Sequence, residues 1–350
     1  SRADQWGGEI LTLKIGLIGS GFMGTIHAAG WMRLRAQGKP VEVAGCRSID
    51  DETATRLADQ HGFPLYDSLD ELIASSDVID VCTPTYLHFE HASRAANAGK
   101  HIVCEKPLAR TAEDAAALVQ LCEDRGVKLL VGHVVRFFPE YAAAKAIVER
   151  GEIGDVAVIR LTRCSFKPQL DNPSSWFHNP AYSGGAILDL MIHDFDYARW
   201  IGGDVTRVFA RHIGDRAGDE RIGDYALVTL RHANGALSHI EGGWAYPKPL
   251  FRTALEIAGS EGLIEHPAKR SQPVTVYPHA RSGGGLPDIA VPRNPMLPDD
   301  DPYMQEIEHF YDVLTTGATP RVTGRDGLAA VRIALAAIES ANTGRPVTLA

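Results

Sequence analysis

Three short clusters carry the residue types from which chemistry could be built. The first is Gly19-Ser20-Gly21-Phe22-Met23-Gly24, which follows an apolar run and opens a helical one. Glycines at this spacing suit a dinucleotide. The first makes a tight turn, the second lets the backbone approach a pyrophosphate, and the third lets helix and strand pack closely. The helix N-terminus then favours the negative charge. Roughly 20 residues further on, an acid would hold the ribose 2′-hydroxyl of NAD. The chain instead reads Cys46-Arg47-Ser48. Arg47 can hold a 2′-phosphate by charge-assisted hydrogen bonds and Ser48 can add another, so the sequence favours NADP. A solvated Arg47 with NAD bound stays open, because Asp50 and Asp51 are close by.

The second cluster is Cys104-Glu105-Lys106-Pro107-Leu108, at the carboxyl end of an expected strand. Ligands of open parallel sheets bind at that edge. Lys106 there could reach a ribose or substrate hydroxyl, although taken alone it also reads as a surface lysine. The third is Ser183 to Asp196, where Gly184-Gly185 precedes what reads as one long, mostly apolar helix. Asp189 and His193 are spaced i, i+4 and would share one face. A carboxylate beside an imidazole keeps the histidine basic and oriented, which suits proton transfer near neutral pH. A helix-stabilising pair or a core histidine is the plainer alternative. Other chemistries lack their patterns. His88-Phe89-Glu90-His91 is not HExxH, no third ligand accompanies His193 and Asp196, and no G-x-S-x-G elbow exists. No metal site is expected.

The elements that must hold these clusters read in two styles. From Lys14 to Val131, short runs rich in Val and Ile alternate with helical stretches: strands Lys14–Ile18, Val41–Cys46, Val78–Cys82, His101–Cys104 and Val127–Val131. That rhythm implies βαβ units and a doubly wound parallel sheet, a Rossmann arrangement. After a helix at Tyr141–Arg150 the strands alternate in polarity: Asp155–Arg163, Tyr225–Arg231, Ala236–Gly242, Leu255–Ala258, Leu263–Glu265 and Val274–Tyr277. His232-Ala233-Asn234-Gly235 and Gly259-Ser260-Glu261-Gly262 read as hairpin turns. The expected class is therefore α/β plus α+β, a parallel-sheet domain followed by an open antiparallel sheet covered by helices on one face. Ser282–Pro302 reads as a surface loop, and helices Tyr303–Thr316 and Gly324–Thr343 close the chain. The division expected is an extension over 1–12, a dinucleotide domain over 13–135 and a substrate and oligomerisation domain over 136–350.

A length of 350 residues fits two domains. Lys plus Arg is 35 and Asp plus Glu is 44, a formal charge of −9, which argues against nucleic acid and anionic membranes as partners. No apolar stretch is long enough to span a bilayer. The five cysteines, Cys46, Cys82, Cys104, Cys122 and Cys164, form no Cys-x-x-Cys pair and point to a reducing, cytoplasmic setting.

Taken in order, the motifs resemble the Gfo/Idh/MocA family of nicotinamide-dependent oxidoreductases, over nearly the whole chain from Leu13. Gly19–Gly24 is similar to its nucleotide loop. Cys82-Thr83-Pro84-Thr85 with His88 is similar to its Thr-Pro turn, and Glu105-Lys106-Pro107 to its most recognisable signature. Gly132-His133 with Arg136-Phe137 and Pro139, then Trp176, Gly184-Gly185, Asp189 and His193, complete the series. The resemblance implies Lys106, Asp189 and His193 as a catalytic trio. It implies cofactor contacts from Gly19, Gly21, Phe22, Met23, Gly24, Thr83, Pro84, His88, Glu105, Lys106 and Arg136, to which the residues themselves add Arg47 and Ser48; Cys46-Arg47-Ser48 departs from the family's pattern, where many members carry an acid. Trp176, Asn172, His178 and Tyr182 become candidate contacts to a sugar, cyclitol or related polyol, with Arg136 a further polar candidate. It also implies a homodimer or homotetramer formed through the C-terminal sheet. The activity implied is interconversion of a secondary alcohol and a ketone. Reduction of a keto-sugar nucleotide, or nucleotide binding by a non-catalytic sensor, are the alternatives.

Overall fold

The computed structural model describes residues 12–168, 172, 175–213, 225–266 and 301–349. The chain begins β1 (Leu13–Ile18), α1 (Phe22–Ala36), β2 (Val41–Arg47), α2 (Asp51–His61), α3 (Leu69–Ala74), β3 (Val78–Val81), α4 (His88–Asn97), β4 (His101–Glu105), α5 (Ala112–Arg125) and β5 (Leu129–Gly132). It continues through α6 (Pro139–Glu149), β6 (Val156–Cys164), α7 (Pro180–Ser183), α8 (Gly185–Asp189) and α9 (Ile192–Gly202). Then come β7 (Val205–Ile213), β8 (Tyr225–His232), β9 (Leu237–Gly243), β10 (Arg252–Gly259) and β11 (Leu263–His266). The last elements are α10 (Pro302–Thr316), α11 (Gly324–Thr343) and β12 (Val347–Thr348).

The chain divides into two compact units. The first comprises residues up to Glu105, Ala116–Gly132 and Tyr303–Gly324. The second comprises Lys106–Ala115, His133–Pro302 and Arg325 onward. The first unit thus takes in most of α10, from far along the chain.

In the first unit all five expected strands form one sheet in the order β2-β1-β3-β4-β5, every pair parallel. The apolar runs of β1, β3 and β4 are buried without alternation, as strands covered on both faces must be. The order reverses at β1, with β2 on one side and β3 on the other. That switch point is where an open α/β sheet offers a crevice beyond its strand ends. Ile307, Phe310 and Val313 of α10 enter the same core as Ile15, Leu17, Val78 and Leu130.

In the second unit a seven-stranded sheet runs β11-β10-β6-β9-β8-β7-β12. Most neighbours are antiparallel as expected, but β6 and β9 run parallel, so the sheet is mixed. A parallel pair needs a long crossover, and the chain supplies one between β6 and β9 that includes α7, α8 and α9. Both hairpins form where expected. Gly235 closes one with φ +94°, and its N–H donates to His232 O at 3.0 Å. Gly259 N–H donates to Gly262 O at 2.9 Å in the other. One face of the sheet buries Val228, Leu230, Ile240, Leu255 and Ile257, while Leu227, Leu237 and Leu263 lie on the other face, 55%, 40% and 57% exposed. The expected strand Val274–Tyr277, residues 1–11 of the expected extension and the loop from Ser282 to residue 300 lie outside the described residues. Among those described, no helix is long and apolar enough to cross a membrane. All five cysteines are buried free thiols.

Candidate active site

The nucleotide loop of the first unit leaves β1 and enters α1. Gly19 has φ +101°, and a Cβ there would lie 2.6 Å from the Cys82 carbonyl oxygen. A Cβ on Gly24 would meet Gly19 O at 2.1 Å, so both positions exclude any larger residue. A Cβ at Gly21 would meet nothing within 4 Å. Gly21 is the N-cap of α1, with no side-chain cap and no acid in the first turn. Open space in front of uncapped N–H groups is what a pyrophosphate needs. The residues present therefore fit a dinucleotide. Phe22, half exposed, and Met23 follow in the first turn.

At the end of β2, the Arg47 Nη1 donates to the carbonyl of Ser48. Ser48 is buried, and its hydroxyl accepts from Ser20 Oγ at 2.9 Å and from Asp50 N–H at 3.2 Å. Asp50 caps α2 by accepting from Thr53 N–H at 3.1 Å. After β3, Thr83 and Pro84 lead into a 3-10 turn at Thr85–Leu87. His88 is buried and donates Nε2–H to Thr83 O at 2.7 Å, so it braces that turn from within.

Glu105, at the end of β4, is buried, with Oε1 3.2 Å from His27 Nε2. His27 Nδ1 lies 3.0 Å from both oxygens of Asp80, and Trp31 Nε1–H donates to Asp80 Oδ2 at 2.7 Å. Burial alone would lower the His27 pKa, but the Asp80 carboxylate outweighs it and raises the value well above the ordinary one. Sequence reasoning did not single out His27, Asp80 or Trp31. The one signal was Asp80 itself, an ionisable residue in an otherwise apolar strand.

In the second unit two of the expected trio, Lys106 and Asp189, come into contact. Lys106 Nζ donates to the Asp189 carbonyl at 2.8 Å and lies 3.7 Å from Asp189 Oδ1. His193 is half-buried, and its Nδ1 has no hydrogen-bond partner among the described residues. The ring of His133 meets it edge-on, with centroids 6.4 Å apart. Burial, then the charges of Lys106, Arg163 and His133, push the His193 pKa well below the ordinary value.

The single long helix expected here is in fact broken. α8 ends at Asp189, and α9 begins at Ile192. Met191 N–H reaches five residues back to Ala186 O at 2.9 Å, while Asp194 N–H closes on Met191 O, three back, at 3.0 Å. The ladder loosens and then restarts, so Asp189 and His193, though four residues apart, lie on different helices rather than on one continuous one. Nor is His193 kept basic by a carboxylate: burial first, and then the charges of Lys106, Arg163 and His133, all lower its pKa.

Two buried ion pairs fix α9. Asp194 accepts from Arg163 of β6 at 2.7 and 3.1 Å. Asp196 accepts from Arg136 at 2.8 and 2.6 Å, with Asp326 3.4 Å from the same guanidinium. Arg136, expected at the cofactor, is therefore buried and held by carboxylates of its own unit. Arg163 and Asp194, the chain neighbour of His193, were not anticipated.

Of the candidate sugar contacts, Trp176 stacks on Phe177 with centroids 4.0 Å apart, and His178 donates Nε2–H to Pro168 O at 3.2 Å. Tyr182 and Asn172 are exposed. Trp176, His178 and Tyr182 occupy a 3-10 turn at Trp176–His178 and α7, which run directly into α8. Gly184 makes the junction at φ +76°, where a Cβ would lie 2.5 Å from Leu188 Cδ2.

Residues 13–133 match the model of an oxidoreductase family with an NAD-binding Rossmann fold, and residues 141–265 match the GFO/IDH/MocA C-terminal domain. An inositol 2-dehydrogenase of Rhizobium meliloti (strain 1021) is 30% identical, the match covering 97% of this chain and 100% of that one. A myo-inositol 2-dehydrogenase of Thermotoga maritima is 32% identical over 96% and 98%. A levoglucosan dehydrogenase solved with NADH and L-sorbose superposes with a TM-score of 0.82 at 27% identity, covering 97% of this chain and 100% of that one. Glycine loop, parallel sheet, Lys106–Asp189 pair and these matches lead to one assignment: the chain belongs to the Gfo/Idh/MocA family and is an oxidoreductase built on an NAD-binding Rossmann fold.

Proposed function

We propose that this protein interconverts a secondary alcohol and a ketone on a sugar, cyclitol or related polyol, with His193 as the general acid/base. The bound nicotinamide supplies the hydride acceptor. The observation that carries the reading is a half-buried histidine, held neutral by its surroundings, on the unit that also carries the Lys106–Asp189 pair. A neutral imidazole at physiological pH can take a hydroxyl proton. The Lys106 ammonium holds the reacting oxygen and stabilises the charge that develops on it. Asp189 orients Lys106 through its carbonyl and carboxylate. Trp176 offers an apolar face to a sugar ring, with His178, Tyr182 and Asn172 as polar neighbours. The names of relatives acting on inositol and levoglucosan support this substrate class.

Arg47 favours NADP over NAD, and the commitment of Asp50 to capping α2 supports that preference. The exposed leucines of the second sheet support a homodimer or homotetramer formed through it. The test is a panel of polyols, cyclitols and aldoses with each cofactor, followed by the absorbance of the reduced nicotinamide. Turnover of at least one free polyol or sugar is expected. Activity confined to nucleotide-linked sugars, or none with any member, would overturn the reading.

A further inference from the structure

Glu306 of α10 is fully buried, and neither carboxyl oxygen has a hydrogen-bond partner among the described residues. An isolated buried carboxylate is costly, and this one faces other ionisable groups. One oxygen each of Glu306 and Glu105 and one nitrogen of His27 lie within 4.8 Å of one another. The ionisable groups that act on Glu306 are Glu105 from β4, His27 from α1 and Asp80 from β3. Cys82 completes the cluster beside His27, and burial holds it as a thiol.

The charges can be counted. His27, as an imidazolium between Asp80 and Glu105, supplies one positive charge against two negative ones. An ionised Glu306 would add a third negative charge beside these groups in a space closed to water, and retaining its proton avoids that. Carboxyl groups crowded together resolve the conflict in this way, one of them keeping the proton. The carboxyl without partners is the one to keep it.

We propose that Glu306 is a positioning residue, a neutral carboxylic acid that steadies Glu105 and, through it, the Glu105-Lys106-Pro107 turn. One of its oxygens lies within 4.8 Å of a Glu105 carboxylate oxygen. That carboxylate also lies against Gly132 of β5, where a Cβ would meet Oε1 at 2.7 Å, so it has little room to move. α10 thereby acts on the turn that carries Lys106. The functional half of this inference rests on the role of that turn proposed above, whereas the protonation state does not.

The experiment compares the full-length wild type with Glu306→Gln and Glu306→Ala. The infrared spectrum at pH 7.5 should contain a protonated-carboxyl C=O band that Glu306→Gln removes. In thermal melts from pH 5 to 8, a group that keeps its proton only when folded contributes stability that is lost as pH rises. Glu306→Gln removes that dependence, so its folding constant relative to wild type should rise toward about tenfold per pH unit. No such band, or a flat or opposite slope, would show an ionised Glu306 and overturn the proposal. A slope that reverses only after chelator treatment would identify a divalent cation as the occupant and overturn it as well. NADH affinity, read by fluorescence, should fall about tenfold in Glu306→Ala and recover for the most part in Glu306→Gln. Equal losses in both variants, or none in Glu306→Ala, would remove the positioning role while leaving the infrared result standing.

Discussion

His193→Asn tests the proposed chemistry most directly. A positioned general base contributes about 10²- to 10⁴-fold, or about 2.7 to 5.4 kcal/mol of transition-state stabilisation, so kcat should fall by that factor. NAD(P)H affinity should stay within about twofold, because the glycine loop belongs to the other unit and retains its geometry. The stability change has a definite sign. The folded-state pKa of His193 is depressed, so the folded protein binds fewer protons than the unfolded chain, and stability falls as pH drops below the ordinary histidine value of about 6.5. At pH 5.5 this costs the wild type at most about 1.4 kcal/mol, which Asn escapes. Moving from pH 7.5 to 5.5 should therefore shift the Tm difference toward the variant by up to about 3–6 °C. The assay is kcat, cofactor Kd and melting temperature on the same preparations. A variant that turns over within a few-fold of wild type would remove His193 from the mechanism. An unchanged Tm difference between the two pH values would refute the depressed pKa.

Three further outcomes are expected. Arg47→Ala should weaken NADP(H) binding about tenfold more than NAD(H) binding, measured by fluorescence titration, and equal losses would end the case for a 2′-phosphate contact. Arg163→Ala leaves Asp194 buried without its bidentate partner and should cost about 3–5 kcal/mol in denaturant unfolding; a loss below about 1 kcal/mol would show that this pair does not anchor α9. Light scattering at micromolar concentration should find a dimer or tetramer that Leu227→Lys with Leu263→Lys dissociates, whereas a monomeric wild type would exclude assembly through that face.

Much of this molecule can be read locally because its parts are local. The Gly19–Gly24 spacing, the apolar strands and the Asn234-Gly235 turn each encode their own geometry within a few residues. What escapes the sequence is long-range. Asp189 and His193 look like neighbours on one helix because Ala186 to Ile192 is apolar throughout apart from Asp189, and no glycine or proline marks the break. The break appears only in the hydrogen bonds around Met191. The parallel β6–β9 pairing depends on a crossover that no local pattern specifies. Glu105 and Arg136 enter as cofactor contacts through the family resemblance alone, which carries no information about their partners within the chain. Within the chain their carboxylate and guanidinium are engaged by His27 and by Asp196, partners 78 and 60 residues away.

The late arrival of α10 has a consequence for synthesis. The sheet of the first unit is complete once Gly132 has emerged, but Ile307, Phe310 and Val313 belong to its core. Roughly 170 residues separate Gly132 from Tyr303, which at about 5–20 residues per second is a delay of about ten to thirty seconds on the ribosome. Throughout that interval the nascent sheet has an unfilled apolar surface and three buried-site ionisable groups, His27, Asp80 and Glu105, without their fourth member. Chaperone dependence of this protein should therefore concentrate in that window, and a fragment ending near Gly132 should aggregate where the whole chain does not.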